Sequence, residues 1–451
     1  MTQNNKHFYK SVFALVIPMA LQNLIDVAIT SADVLMLGNV SEAALSASSL
    51  AGQVWFVLSL IIFGTSSGAS ILTAQYWGKK DTVTIERVIG LALRFLLVIS
   101  FLFTVVVLLF PANVMRLFTT EADVISEGVK YLRIVVWTYI PLTISLLYLN
   151  IMRSVEKVKI SMLIHLVGFF VNVILNSILI FGLLGFEPMG IVGAALATAI
   201  ARMVQFVIAI VYSLLPKTII HFRPKYLFTK SGILLKDFLK YSLPVTFNEL
   251  MWSLAVAMNT SIIGHLGKAA VSANSVAQTT RQLAMVVGLG ISNATAVMLG
   301  KTIGEGKMDE ARQNSKRFIR LSLTFGVLGA CIILCVIPIA PYILNLSAEA
   351  LEYLRTMLIV MSYFCIAQCV NTTLVVGVFR SGGDARIGVI IDMCSMWGIT
   401  IPCAALAAFV FHWDVRIVYA ILMADEIIKL LPIFLRYRTY KWLKNVTRDF
   451  S

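Results

Sequence analysis

Apolar runs of about twenty residues or more recur along the whole chain, and they leave few folds open. Residues 11–38, SVFALVIPMALQNLIDVAITSADVLMLG, form the first of them. At 1.5 Å of rise per residue, about 20 residues cross a bilayer as a helix, and only helices or closed barrels satisfy their backbone polar groups there. Twelve runs are read as spans: 11–38, 51–76, 88–110, 131–151, 160–184, 190–214, 238–265, 276–300, 318–341, 354–378, 387–411 and 416–435. A chain of 451 residues with 59% hydrophobic and 13% charged residues and a mean hydropathy of +0.87 is not a string of soluble domains. The expected fold is an all-α polytopic membrane protein with twelve transmembrane helices. The polar stretch MTQNNKHFYK is followed by a run too long for a signal-peptide core, so the first helix is expected to be retained.

The net charge of +14 raises the question of nucleic acid, and the placement of the bases answers it. Lys and Arg fall in alternate connections. One set holds Lys79, Lys80 and Arg87; Arg153, Lys157 and Lys159; Lys217, Arg223, Lys225, Lys230 and Lys236; Lys301 to Arg317; Arg380 and Arg386; and both chain ends. The other set is acidic or weakly charged, with Glu42, Glu121, Asp123, Glu187, Lys268, Glu349, Glu352, and Asp414 with Arg416. By the positive-inside rule the basic set is cytoplasmic, which puts both termini inside and makes the helix count even. The bases orient the protein in a membrane, and no nucleic-acid partner is expected.

The chain repeats itself. A shift of 226 residues aligns IPMALQNL…MLGNVSEAALSASSLA with LPVTFNEL…IIGHLGKAAVSANSVA, pairing Pro18 with Pro244, Gly38 with Gly264, Gly64 with Gly290 and Gly78 with Gly304. At an offset of 227, Arg153 and Ser154 meet Arg380 and Ser381. Six helices therefore repeat as six, in the same membrane orientation because six is even, the parallel-repeat plan of some secondary transporters. The expected division is an N-terminal six-helix lobe over 1–214, a cytoplasmic linker over 215–237 and a C-terminal six-helix lobe over 238–451, the two lobes being pseudo-symmetric bundles. Equivalent positions differ in charge: Asp33 aligns with Asn259, Asn23 with Glu249, Asp26 with Trp252, and Thr198 with Asp425.

Carboxylates at membrane depth are the candidate functional groups. Each costs on the order of 3 kcal/mol, so such residues face protein or a wet cavity. Asp26 and Asp33 lie seven apart, hence on one helical face, as do His165, Asn172 and Asn176 in the fifth span. Asn150 ends the fourth span and Thr198 sits in the sixth. If these converge, a carboxylate, amide oxygens and a hydroxyl suit Na⁺ or a shared proton; interhelical hydrogen bonds that merely glue the bundle are the blander alternative. Glu249, near Met251 and Trp252, suits an amphipathic organic cation, or else pairs with a buried base such as Arg281. Asp26 and Asp392 are grouped with Glu249 as substrate or second acid sites. Asp425, Glu426 and Lys429 read as a self-neutralising structural trio.

No phosphate-binding loop, H-E-x-x-H or G-x-S-x-G motif occurs, so an enzyme and an ATP-driven pump are not expected. The cysteines, Cys331, Cys335, Cys365, Cys369, Cys394 and Cys403, lack His or carboxylate companions at ligand spacing and read as small buried packing residues. No cofactor is expected, and no metal beyond Na⁺ at Asp33.

The two-times-six plan, a proline in the first and seventh helices, Asp33 followed closely by Met-Leu-Gly, the R-S-G-G-D run from Arg380 to Asp384 with Pro402 beyond it, and the N-x-x-x-N…G-x-x-x-A-T pattern of Asn172, Asn176 and Thr198 resemble the multidrug and toxic compound extrusion (MATE) family over essentially the whole chain. The resemblance implies antiport, in which Na⁺ or H⁺ enters as an amphipathic, mostly cationic organic compound leaves. It implies that Asp33, Asn172, Asn176 and Thr198 form the cation site of the N-terminal lobe, with Glu249 as the acid of the seventh helix. The expected protein is thus a monomeric, multi-pass exporter of the plasma (inner) membrane. Its partners are small organic cations and lipid, with no ATPase subunit. The rival within the same superfamily is a flippase for a lipid-linked oligosaccharide or cell-wall precursor, which would need a strongly basic cavity.

Overall fold

The computed structural model describes residues 3–228, 232–343 and 346–449; Lys230 of the basic set lies outside them. Every regular element among the described residues is helical. The first half runs α1 (Gln3–Gly38), α2 (Glu42–Gly78), α3 (Thr82–Leu109), α4 (Pro111–Arg116), α5 (Ala122–Val135), α6 (Tyr139–Ser154), α7 (Val158–Phe181) and α8 (Ile191–Leu214). The second half runs α9 (Gly232–Gly264), α10 (Lys268–Gly304), α11 (Met308–Ile343), α12 (Ala348–Thr372), α13 (Ala385–Ser395), α14 (Ile401–Ala405), α15 (Val415–Leu422) and α16 (Asp425–Arg438). The repeat is visible in the helix ends: α1 and α9 stop at Gly38 and Gly264, α2 and α10 at Gly78 and Gly304.

Among the described residues, ten helical stretches are long and apolar enough to cross a membrane, which makes this an all-helical polytopic membrane fold. Two of the twelve expected spans fall short of that measure for identifiable reasons. The seventh lies in the 33-residue α9, diluted by Asn248, Glu249 and Asn259. The twelfth is broken at Met423–Ala424, where α15 ends and α16 begins on Asp425 and Glu426. The fourth span starts earlier than expected: Ala122–Ser154 is one stretch, tightened to a 3₁₀ turn at Val136–Thr138 just before Pro141, which has no N–H to give. Wider, π-helical turns follow in the second half at Thr373–Phe379, Met396–Thr400 and Leu406–Val410.

The chain forms two compact units, one of Leu21–Thr73 and Asp81–Ser242, the other of Met1–Ala20, Ala74–Lys80 and Leu243–Ser451. The first is called here the Asp33 unit and the second the Glu249 unit. The divisions fall inside helices, in α1 two residues past Pro18 and in α9 one residue before Pro244.

Within the Asp33 unit, α7 and α8 pack closely because Gly193 has no side chain: a Cβ there would lie 2.6 Å from the Leu179 carbonyl. The segment after α8 folds back on α3 and α6. Buried Glu86 accepts from the His221 backbone N–H at 2.9 Å and pairs with Arg223 at 3.1 Å, and Tyr148 donates to the Ile220 carbonyl at 3.1 Å.

Within the Glu249 unit, the ends of α2 and α10 cross at glycines. A Cβ on Gly78 would sit 2.2 Å from the Lys301 carbonyl oxygen, and one on Gly304 would sit 2.0 Å from the Gln75 carbonyl oxygen. The R-S-G-G-D run is a turn beside that crossing. Gly383 is left-handed at φ +76°, Gly382 lies so close to the Trp442 carbonyl that a Cβ would reach 1.6 Å from it, and Asp384 pairs with Arg436 at 2.7 Å. Gln75 ties this corner to the tail, donating to the Ser381 and Lys444 carbonyls at 2.7 and 3.0 Å and accepting from the Val446 N–H at 2.7 Å.

Candidate functional site

In the Asp33 unit the polar residues of α1, α7 and α8 meet. Seven-residue spacing puts Asp26 and Asp33 on one face of α1, and both line a cavity of about 640 Å³ together with His165, Asn172 and Thr198. Asn176 donates to the Asp33 carboxylate at 2.5 Å and to Asn172 Oδ1 at 3.2 Å, and Asn172 donates to Thr198 Oγ1 at 3.4 Å. Both donors of the Asn176 amide are thus used, while its Oδ1 is buried with no hydrogen-bond partner among the described residues. Such an acceptor beside a carboxylate fits a bound cation, or a proton on Asp33 that it would receive as a hydrogen bond.

His165 Nδ1 lies 3.0 Å from Asp26 Oδ1, so Asp26 belongs to this cavity. Asn150 does not join the cluster: it donates to Ser66 Oγ at 3.0 Å. Arg202, four residues after Thr198 and hence on the same face of α8, was not among the expected site residues, yet it lines the cavity. Its guanidinium carbon stands 4.6 Å over the Trp55 ring, and it donates to Thr138 Oγ1 at 3.2 Å. The four-residue spacing from Thr198 is the sequence signal by which it could have been found.

In the Glu249 unit the acids are matched by bases. Glu249 accepts from Arg380 at 2.8 Å, so its base is Arg380 and not Arg281. Arg281 instead donates to Gln278 at 3.0 Å and to Gln368 at 3.3 Å. Buried Lys429 reaches Asp425 at 2.9 Å, Asp392 at 3.1 Å and Glu426 at 3.4 Å. Asp392 also accepts from Asn248 at 3.0 Å, and Glu426 from Asn371 at 2.8 Å. The i,i+4 pair between Asp425 and Lys429 is formed, and the expected trio gains Asp392 as a fourth member. A cavity of about 40 Å³ beside Asp425 and Glu426 is lined by Asn259, the repeat counterpart of Asp33.

Cys365 and Cys369 are buried with sulfurs 3.6 and 3.9 Å from Met285 Sδ. Cys331, Cys335, Cys394 and Cys403 are exposed, so buried packing accounts for only the first two. Among the described residues no three His, Cys, Asp or Glu side chains converge as metal ligands. The donors around Asp33 are oxygens, the kind hard cations take.

A polytopic helical membrane fold with internal duplication and a polar cavity at membrane depth defines a transporter. The MatE family model matches residues 18–178 and again 244–406, and the chain belongs to that family. It is similar to the probable multidrug resistance protein YoeA of Bacillus subtilis, 23% identical over 98% of this chain and 96% of that one. It is also similar to the probable multidrug resistance protein NorM of Rhizobium meliloti, 24% identical over 89% and 87%. Among solved structures, a MATE protein in a bent conformation superposes with a TM-score of 0.86 at 19% identity, covering 96% of this chain and 95% of that one. A MOP superfamily transporter from Pyrococcus furiosus, whose binding pocket is described as of reverse polarity and suggestive of a different function, also gives 0.86, at 20% identity and 96% coverage of both chains. At these identities the structural likeness speaks for the fold.

Proposed function

We propose that this chain is a secondary-active multidrug exporter that moves amphipathic organic compounds out of the cell in exchange for Na⁺ or H⁺. The observation that carries the reading is the Asp33 cluster: a carboxylate at membrane depth, hydrogen-bonded by Asn176, beside an unpartnered amide oxygen, opening on a drug-sized cavity. Asp33 is the coupling residue, with Asn172, Asn176 and Thr198 holding it in place. A bare carboxylate there is costly, and an ion or a proton removes that cost. Asp33 lies on α1, which passes from one compact unit to the other just beyond Pro18, where the missing N–H weakens the helix. A charge change at Asp33 is thereby linked to a bend in α1, and substrate and ion drive each other's exchange by favouring opposite arrangements. The basic residues in alternate connections and at both chain ends support cytoplasmic termini.

A lipid-linked oligosaccharide flippase is disfavoured by the cavity lining, which sets one arginine, Arg202, against Asp26 and Asp33. The test is efflux of a fluorescent organic cation from proteoliposomes under separately imposed Na⁺ and proton gradients. Wild-type flux is expected to follow one gradient and to be lost in Asp33→Asn. Full ion-driven efflux by the variant would overturn the assignment, and a folded wild type inert under both gradients would overturn the export reading.

A further inference from the structure

Three sulfurs meet inside the Glu249 unit. Cys365 and Cys369 lie four residues apart, hence on one face of α12. Across from them α10 brings Met285, whose Sδ stands 3.6 Å from Cys365 Sγ and 3.9 Å from Cys369 Sγ. All three side chains are buried. The neighbouring helices leave space for them at glycines. A Cβ on Gly288, in α10, would lie 2.4 Å from Cys369 Sγ, and one on Gly329, in α11, would lie 3.0 Å from Cys365 Sγ. The two cysteines are visible in the sequence, but their companion is not, because it comes from another helix 80 residues away.

Apolar packing places no demand on how far apart its sulfurs stand, and sulfur makes only weak hydrogen bonds. A metal does place one. With a metal–sulfur bond of about 2.3 Å, three sulfurs in a trigonal plane around one ion stand about 4 Å apart. The two distances here come within a few tenths of an ångström of that. The donor set says which ion. Two thiolates and a thioether are soft ligands, the kind that Cu⁺ takes. Zn²⁺ asks for four ligands drawn from thiolate, imidazole and carboxylate, and among the described residues no third His, Cys, Asp or Glu joins the two cysteines. Binding one Cu⁺ through two thiolates releases two protons and leaves a single net negative charge. Arg281, one turn before Met285 on α10, interacts electrostatically with Cys365 and offsets that charge.

We propose that Met285, Cys365 and Cys369 form a three-sulfur site for a soft monovalent cation, Cu⁺ or its surrogate Ag⁺. A bound ion joins α10 to α12 from inside the bundle. Met361 and Met357 continue the four-residue interval from Cys365 towards the start of α12, and both are buried, so further soft donors line the same helix face beyond the site. The inference does not depend on the export reading, and neither Asp33 nor its companions take part in it.

The test uses the purified full-length protein carrying Cys331→Ser, Cys335→Ser, Cys394→Ser and Cys403→Ser, so that the exposed thiols do not compete. It is incubated with Cu⁺ held reduced by ascorbate, and loosely held metal is then removed with a Cu⁺ chelator. One equivalent is expected to remain, with X-ray absorption showing three sulfur neighbours at about 2.3 Å and no nitrogen or oxygen. Adding Cys365→Ser or Cys369→Ser is expected to abolish retention. Met285→Leu, which conserves side-chain volume, is expected to bind at least about tenfold more weakly in chelator competition, and it carries the comparison if the serine variants do not fold. No metal retained by the parent, equal affinity in the parent and Met285→Leu, or nitrogen or oxygen in the absorption spectrum would overturn the proposal. Retention of Zn²⁺ more tightly than Cu⁺ would overturn the assignment to a soft monovalent ion.

Discussion

Glu249 and Arg380 depend on each other. Their side chains are 14% and 5% exposed, with the guanidinium donating at 2.8 Å. Removing one member of a buried pair costs about 3–5 kcal/mol, because the other charge is left uncompensated, whereas replacing both with apolar groups of similar size is often neutral. Glu249→Gln is therefore expected to lower the thermal midpoint of the detergent-solubilised protein markedly, and Glu249→Gln with Arg380→Met to recover most of the loss. A single variant as stable as wild type would show that the pair contributes little. At this scale the sequence was legible where spacing decides. Asp33, Asn172, Asn176 and Thr198 meet as their helical faces suggest, since seven- and four-residue intervals carry that information directly. It was illegible where tertiary approach decides. Arg380 was counted with the loop charges, and nothing local says that it reaches back to Glu249 and not to some other acid. Arg202 was overlooked because the groups it meets, Trp55 and Thr138, come from distant parts of the sequence.

Among the elements, the prolines and glycines set what each helix can do. The α2–α10 crossing leaves no room for side chains at Gly78 and Gly304. Gly304→Ala puts a methyl group against the Gln75 backbone, and Gly264→Ala, at a helix end with nothing within 4 Å, is its control. The Gly304 variant is expected to lose most of its monodisperse yield in gel filtration and the control to keep it; equal yields would mean that the two helices simply move apart. Ten of the twelve expected spans return as apolar helical stretches among the described residues, but the break at Met423–Ala424 was not readable, because no proline or glycine marks it in the sequence from 416 to 424. The position of Lys429 explains the break. With Asp392, Asp425 and Glu426 gathered on one ammonium, α16 has to start where those acids can turn inward.

For the whole molecule, the α2–α10 crossing has a further meaning. The residues that meet there are the repeat's own equivalents: Gly78 faces Lys301 while Gly304 faces Gln75, and Gly300 approaches Ala74, every pair related by the same 226-residue shift. Residue i against j, with j against i, is the signature of an isologous contact between identical subunits. A homodimer of six-span subunits, fused through the segment between α8 and α9, would leave a self-complementary seam of this kind inside a single polypeptide. If that ancestry still governs assembly, residues 1–228 and 232–451 expressed as separate chains should find each other, and a tag on one should bring down the other in detergent. Failure of the two to co-purify, with each inserted on its own, would mean that fusion has become essential. The charges that separate the halves, Asp33 against Asn259 and Thr198 against Asp425, would then be what two once-equal partners gained when a covalent tether freed them from having to match.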